Sequence, residues 1–342
     1  MMPNRRIAIA FAPWLALATL AVYVDLAGSD FLLHLAIVTA IYATLAMSLD
    51  FAFGYTGLFS IAHASLFGLG AYVAGLLIAE LGLPPPLAIL AGALFAALIG
   101  TIMVALFSRM EGPYFAIGSF AFGELVRIVL NEWRSLTHGP MGLVFPPQAG
   151  KFSFLWIEIN FRDKRELFAV VAVLTAMVAG GLWLVLKSRL GGRMTYIRDD
   201  PNLAMSLGVN VFRTKLASFA ISGFVAGLAG GLFGIYLQFV APSLFSGLES
   251  VRLVMMVVIG GAGTLFGPIV GAALIVLLPQ ALRMDPTDSL IINGVILVLV
   301  VLFFPRGIVG SAHDFILRQL TPAGGGTIAP TAAATPERSG AP

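Results

Sequence analysis

The residue types that carry enzymatic chemistry are scarce and scattered along this sequence. It contains no cysteine, which excludes disulfides, thiolate zinc sites and cysteine nucleophiles. None of its four lysines follows the glycine spacing of a phosphate-binding loop. The four histidines show no metal-ligand spacing: His34, His63, His138 and His313. We therefore expect no metal, no catalytic residue and no cofactor on this chain, so any ATP hydrolysis belongs to a partner.

Two acid–base pairs lie three residues apart, which places both members of each pair on one helix face: Glu124 with Arg127, and Glu249 with Arg252. Ionisable groups inside a membrane are costly and are candidates for function. A structural pair, with the arginine reaching toward the interface, is the favoured interpretation of the first. Glu124 remains a candidate for a solute path. Glu249 and Arg252 either contact an external binding protein or cap a short helix.

Residues 54–63 combine glycines with polar side chains beside an apolar run. Broken helices at membrane depth are tolerated where they line a cavity or are buried in protein. A helix that starts there would direct backbone amides at an anion such as a carboxylate. We predict that Tyr55, Thr56, Ser60 and His63 line a translocation path; the alternative is a hydrogen-bonded helix break in which His63 only packs.

Residues 197–210 carry the signals of a short helix in a polar loop. Asp200 is suited to cap the first turn, Pro201 to occupy the first helical position, and Gly208 to end the helix in a left-handed conformation. Leu203 and Leu207, four residues apart, would share one face. Because so short a helix is marginal in water, it needs a surface to lie on. That surface is either the membrane or a cytoplasmic subunit.

Composition identifies the chain as a membrane protein. Of its 342 residues, 59% are apolar and only 11% are charged, with a mean hydropathy of +0.96. A soluble domain is about 25% charged, so this chain cannot form a solvated surface all round. A spanning helix needs roughly 20 apolar residues. We predict an all-α polytopic integral membrane protein of about 8–10 spans, some broken by glycine or proline.

The predicted spans are listed here in chain order: 7–27, 31–50, 58–81, 87–107, 113–131, 167–186, 216–240, a half-helix before Gly260, 264–282 and 288–305. Residues 1–320 form the membrane domain, and 321–342, rich in Gly, Ala, Pro and Thr, a disordered tail. A cleaved signal peptide is the alternative for the first span. Residues 132–165 form an extracytoplasmic loop, with a short hairpin or surface strand over 152–161.

The loop at 187–215 sets the orientation. It holds six lysines and arginines against two aspartates, which indicates the cytoplasmic side. Six spans precede it, in agreement with an inside N-terminus. The spans counted after it leave the C-terminus outside, although Arg306 and Arg318 favour the inside.

Glycines recur every four residues in two stretches, a spacing that lets spanning helices approach closely. The two sets are Gly223, Gly227 and Gly231, and Gly263, Gly267 and Gly271. Packing within the chain is the favoured interpretation, and a seam with a second permease is the alternative.

Four stretches, taken in order, resemble the LivM type of branched-chain amino acid permease, a subunit of ATP-driven importers. They are residues 53–72, residues 112–127, residues 197–231 and residues 260–268. In the third stretch only Ala204 and Gly208 keep the usual coupling-loop pattern.

The resemblance implies a bacterial inner-membrane complex. Two homologous permeases share one path, two cytoplasmic ATPases dock on coupling helices and use ATP, and a periplasmic or lipid-anchored binding protein delivers the solute. Lipid surrounds the complex, and no nucleic acid takes part. The coupling residues implied here are Arg198, Asp199, Asp200, Pro201, Leu203, Ala204, Leu207 and Gly208. Relatives that carry urea, short amides or aromatic acids leave the substrate open. A channel or secondary transporter acting alone is the alternative from another class.

Overall fold

The computed structural model describes residues 29–110, 112–146, 151–154 and 157–312. The predicted first span at 7–27 and the predicted tail at 321–342 lie outside the described residues. The helices are α1 (Asp30–Thr56), α2 (His63–Leu81), α3 (Pro85–Phe107), α4 (Pro113–Glu132), α5 (Arg134–Thr137), α6 (Lys164–Lys187), α7 (Arg189–Asp199), α8 (Pro201–Ser206), α9 (Val211–Leu237), α10 (Gly247–Gly260), α11 (Gly267–Ala281) and α12 (Pro286–Phe303). The strands are β1 (Leu143–Val144), β2 (Lys151–Phe154), β3 (Ile157–Asn160) and β4 (Phe239–Val240).

Seven helices in the described part of the chain are long and apolar enough to cross a membrane by length and composition. The all-α polytopic prediction is therefore confirmed. Local signals account for where these helices begin. Asp163 caps α6 by accepting a hydrogen bond from the Arg165 amide at 2.8 Å, and Asn210 caps α9 through the Arg213 amide at 2.9 Å.

Helix α9 lies at the centre of the bundle, where it packs most extensively against α3 and α2. Glycine makes this packing possible, because a methyl group at Gly227 would lie 2.7 Å from Ala93 and Ala96 of α3. On the face toward α2, a methyl group at Gly230 would overlap the Phe67 carbonyl oxygen. The glycine spacing of α9 thus serves contacts within this chain. Gly223 and Gly231 also face α3.

Two short antiparallel pairs lie at one end of the bundle, here called the hairpin end. Strands β2 and β3 form the hairpin that the sequence predicts, with Phe152 opposite Ile159. Strand β1 pairs with β4, with Leu143 opposite Val240, and so joins the loop after α4 to the end of α9. The opposite end, which holds residues 187–215, is here called the loop end.

The course of the last third differs from the sequence prediction. The chain leaves β4 at the hairpin end and reaches Gly263 at the loop end, where a methyl group on Gly263 would lie 3.3 Å from the Arg198 guanidinium. Helix α10 and the short turn before it therefore traverse the bundle, where the sequence predicts only a half-helix.

The two helices that follow return the chain to the loop end. Gly267 and Gly271 allow α11 to pack directly on α10, since a methyl group at Gly271 would overlap the Met256 carbonyl oxygen. Helix α12 then ends beside Gly307, which packs on Gly261. Residues 304–310 consequently lie at the same end as the basic loop. The span count and the basic residues of the C-terminal segment gave opposite sides, and the conflict is resolved because α10 adds one crossing to the count.

Helices α6 and α12 lie at the periphery of the bundle. In each of these spans, only 17% of an apolar stretch of 18 residues is buried within the chain. Their outward side chains are aliphatic and aromatic, for example Met177 on α6 and Leu302 on α12. Exposed apolar surface of this extent needs lipid or a partner helix to cover it.

Candidate functional site

The basic loop at 187–215 folds into two helices rather than one. The predicted cap is present: the Asp200 carboxylate accepts hydrogen bonds from the amides of Asn202 at 2.8 Å and Leu203 at 3.1 Å. Pro201 occupies the first turn of α8, and Gly208 follows the helix with φ +80° in the left-handed region. Sequence reasoning missed the preceding helix α7, although Leu190, Met194 and Ile197 lie at the i, i+4, i+7 spacing of an amphipathic helix.

Helix α8 presents an apolar surface to solvent. Leu203, Met205 and Leu207 are 59%, 54% and 64% exposed, whereas Ala204 is buried against the bundle. Leu203 and Leu207, four residues apart, share one face and form a small apolar patch that another surface can cover, whereas Met205 is exposed on a different side of the helix. The single buried alanine anchors the helix without hiding that patch.

The loop is attached to the membrane helices through Arg198. Its guanidinium donates a hydrogen bond to the Gly54 carbonyl oxygen at 3.0 Å and also contacts the Asp199 carboxylate at 3.0 Å. Met194 and Ile197 of α7 are buried beneath it. Through these residues α7 packs on the bundle and connects α8 to the end of α1.

The end of α1 is in turn bonded to the turn between α10 and α11. The Asp50 carboxylate, which is 2% exposed, accepts a hydrogen bond from the Gly263 amide at 2.7 Å. A methyl group at Gly54 would overlap both of these groups. We name Arg198, Gly54, Asp50 and Gly263 the junction. Sequence reasoning missed Asp50, since nothing nearby in the sequence marks a carboxylate at a span end as paired.

Thr56 and His63, two of the predicted path residues, lie in a buried polar cluster between α1, α2 and α9. Thr56 and Ser218 share a hydrogen bond of 2.7 Å between their hydroxyl oxygens. The His63 Nε2 atom lies 2.7 Å from the Ser222 hydroxyl, which donates to the Ser48 carbonyl oxygen at 2.5 Å. The structure thus brings together residues 162 and 159 positions apart.

Ser60 and Tyr55 lie at the edge of this cluster. The Ser60 hydroxyl accepts a hydrogen bond from the Ala62 amide at 3.2 Å, and Tyr55 is only partly buried. The Ile61 amide of the break donates a hydrogen bond to the Ser119 hydroxyl of α4 at 3.0 Å, and two serines of α9 that sequence reasoning did not single out bond Thr56 and His63. The buried His63 Nδ1 atom has no hydrogen-bond partner. A role for these residues along the path stays a prediction.

Glu124 joins α4 to α10. Its carboxylate contacts the Arg127 guanidinium at 2.7 Å and accepts a hydrogen bond from the Gly247 amide at 3.0 Å. The second bond satisfies one of the free amides at the start of α10, where a negative charge is favourable. Glu124 therefore positions α10 in addition to pairing with Arg127.

The described residues contain no cluster of three or more His, Cys, Asp or Glu side chains that could hold a metal ion. At the loop end, a short exposed helix is connected through Arg198 and Asp50 by hydrogen bonds to membrane-spanning helices.

The sequence is similar to those of known membrane transport proteins. The sequence model of a family described as "Branched-chain amino acid transport system / permease component" matches residues 31–303. The chain is 30% identical over 313 residues to the high-affinity branched-chain amino acid transport system permease protein LivM of Escherichia coli K12, covering 86% of this chain and 73% of that protein.

More distant relatives include a second permease type and a sugar permease. The LivH protein of Salmonella typhimurium is 25% identical over 296 residues, covering 79% of this chain and 91% of that protein. The fructose import permease protein FrcC of Rhizobium meliloti is 28% identical over 229 residues, covering 64% and 62% of the two chains. The chain belongs to the family of permease components of branched-chain amino acid transport systems.

Proposed function

We propose that this chain is the membrane-spanning permease subunit of an ATP-driven importer of branched-chain amino acids in a bacterial inner membrane. It forms half of the translocation path beside a second, homologous permease. Two cytoplasmic ATPases supply ATP hydrolysis, and a periplasmic or lipid-anchored binding protein delivers the amino acid. The LivM relationship over most of both chains is the observation that carries this proposal.

The exposed helix α8 supports the coupling part of the proposal. Its apolar face, formed by Leu203 and Leu207, is the kind of surface that an ATPase groove would bury. The residues from Arg198 to Gly208 would receive the movement of the ATPase. Capping by Asp200 and anchoring by Ala204 hold the helix ready for docking.

The junction supports a route for that movement into the membrane. Arg198 bonds the loop to Gly54, and Asp50 bonds the same helix end to the Gly263 amide. A shift of α8 would therefore act on α1 and on the α10–α11 turn together. These elements would move together, because the backbones of Gly54 and Gly263 are in direct contact.

The test is purification of the tagged protein from its own membranes in mild detergent, followed by reconstitution into liposomes. Stoichiometric ATPases and a second permease should accompany it. Uptake of leucine, isoleucine and valine should require ATP, and fructose and urea should be poor substrates. A chain that purifies alone and moves solute without ATP would overturn the proposal in favour of a channel or secondary transporter.

The docking helix is tested by the double substitution of Leu203 and Leu207 by aspartate. The expected result is loss of the ATPases from the purified complex, because the apolar patch is replaced by charge. Asn202→Asp is the matched control, since it adds a carboxylate to the same helix and leaves the patch intact. Retention of the ATPases by the double variant would place their contact elsewhere.

A further inference from the structure

A cavity of about 820 Å³ opens at the hairpin end between α10, α11 and α12. Phe31, at the start of α1, lies at its border, which places the cavity at the end opposite the ATPase-docking loop. Its walls include the apolar side chains of Leu244, Met255 and Val276. This volume is within the range of small-molecule sites, roughly 300–1,000 Å³.

Three polar atoms at this cavity are buried and have no hydrogen-bond partner: Glu249 Oε2, Arg252 Nε and Asn293 Oδ1. They are half of the six such side-chain atoms found in the described part of the chain. Asn293 is only 4% exposed. Buried polar atoms normally find partners, so three of them around one cavity indicate that a polar ligand completes the set.

The ion pair between Glu249 and Arg252 leaves polar atoms of both side chains without hydrogen-bond partners. Glu249 Oε1 and Arg252 Nη1 are 3.4 Å apart, a long contact that leaves the other carboxylate oxygen and most of the guanidinium protons unengaged. The Arg252 guanidinium lies over the Tyr42 ring, 5.8 Å from its centroid, and this contact fixes its position. Arg283 adds a second cation at the cavity lining.

The chemistry of these groups matches a zwitterion with an aliphatic tail. A carboxylate would accept hydrogen bonds from Arg252, an ammonium group would donate to Glu249 and Asn293, and the tail would lie against the apolar wall. We propose that this cavity is a transient binding site for an aliphatic α-amino acid on its way through the permease. The inference rests on the proposed function and assigns the substrate a place at the hairpin end.

The test measures thermal unfolding of the complex of permeases and ATPases in nanodiscs, without the binding protein. Leucine should raise the midpoint in a saturable manner, because a ligand that binds the folded state stabilises it. The two probes that each lack one charged group, 4-methylpentanoate and isoamylamine, should have little effect. Glu249→Gln and Asn293→Leu should each raise the half-saturating leucine concentration about tenfold or more.

Lys164→Gln is the matched control, since it removes a cation from an exposed ion pair with Asp30 at the same end. Its leucine response should equal that of the wild type. Arg252→Lys keeps the charge but loses the unpaired Nε donor, and should also weaken the leucine response while the unliganded midpoint stays unchanged. This variant keeps the proposal testable should Glu249→Gln fail to fold.

A separate arm measures ATP-driven leucine uptake by the wild-type complex with its binding protein. Uptake without any leucine-dependent stabilisation would overturn the cavity assignment and leave the proposed function intact. Absence of both uptake and stabilisation would overturn the proposed function as well. Stabilisation by 4-methylpentanoate equal to that by leucine would replace the zwitterion with a monocarboxylate. Stabilisation by phosphatidylethanolamine alone would assign the cavity to a lipid headgroup.

Discussion

Replacing Asp200 by alanine tests whether the docking helix must be formed before the ATPase binds. The substitution removes the acceptor of two hydrogen bonds, 2.8 and 3.1 Å long, from the first turn of α8. Loss of such a cap costs about 1 kcal/mol. Because a helix of six residues has few internal hydrogen bonds, the cap contributes a large part of the stability of α8.

The consequence for binding follows from the population of the formed helix. If α8 is formed only part of the time, the apparent affinity of the ATPase falls by the formed fraction. A loss of about 1 kcal/mol weakens binding by up to roughly fivefold, and by less where the formed helix is the major state. We expect this factor in titrations of purified ATPase onto the permease pair in nanodiscs, with a matching fall in leucine uptake at limiting ATPase.

Asp200→Asn is the control, because asparagine caps a helix about as well as aspartate. It should bind the ATPase like the wild type. Equal affinity for the alanine variant and the wild type would show that the cap does not contribute to docking. An asparagine variant as weak as the alanine variant would show that the charge acts, and the capping argument would be refuted.

Three further predictions concern the bundle itself. Gly230→Ala should lower the thermal midpoint, with a cost of about 1–3 kcal/mol for overpacking, whereas Gly180→Ala, with open space around it, should leave the midpoint unchanged or raise it. Asp50→Ala should destabilise the complex by about 1–3 kcal/mol, since it leaves the partly buried Gly263 amide without the acceptor that Asp50→Asn would still supply; equal midpoints for the two variants would contradict this. A double-mutant cycle of Thr56→Val and Ser218→Ala should give a coupling of about 0.6–1.7 kcal/mol in unfolding assays. Unchanged leucine uptake per folded complex in both single variants would argue against Thr56 as part of the path.

Most helices could be predicted because their signals are local. A continuous apolar run of about 20 residues indicates a span wherever it occurs. Caps such as Asp200 act within three residues, so the sequence around α8 specified its start and its end. The family resemblance depended on short motifs in order, and the comparisons confirmed it.

The crossing by α10 could not be predicted in the same way. This helix has only 14 residues, too few to indicate a span by length, and its start depends on Glu124 of another helix. The segment after α10 is held at the loop end by Asp50, which accepts a hydrogen bond from the Gly263 amide, 213 positions away in the sequence. Counting α10 as a half-helix put the span count at odds with the basic residues that follow it.

The remaining differences between the sequence predictions and the structure concern which helices pack against one another. Helices such as α9 are apolar on all sides, so no amphipathic face in the sequence indicates which helix each side meets. The sequence therefore specifies a membrane-embedded helical permease with a short, capped and exposed helix in its basic loop. The junction, the polar cluster around His63 and the cavity at Asn293 arise only when helices distant in sequence are packed together. Close packing selects one set of neighbours out of many with similar hydrophobicity.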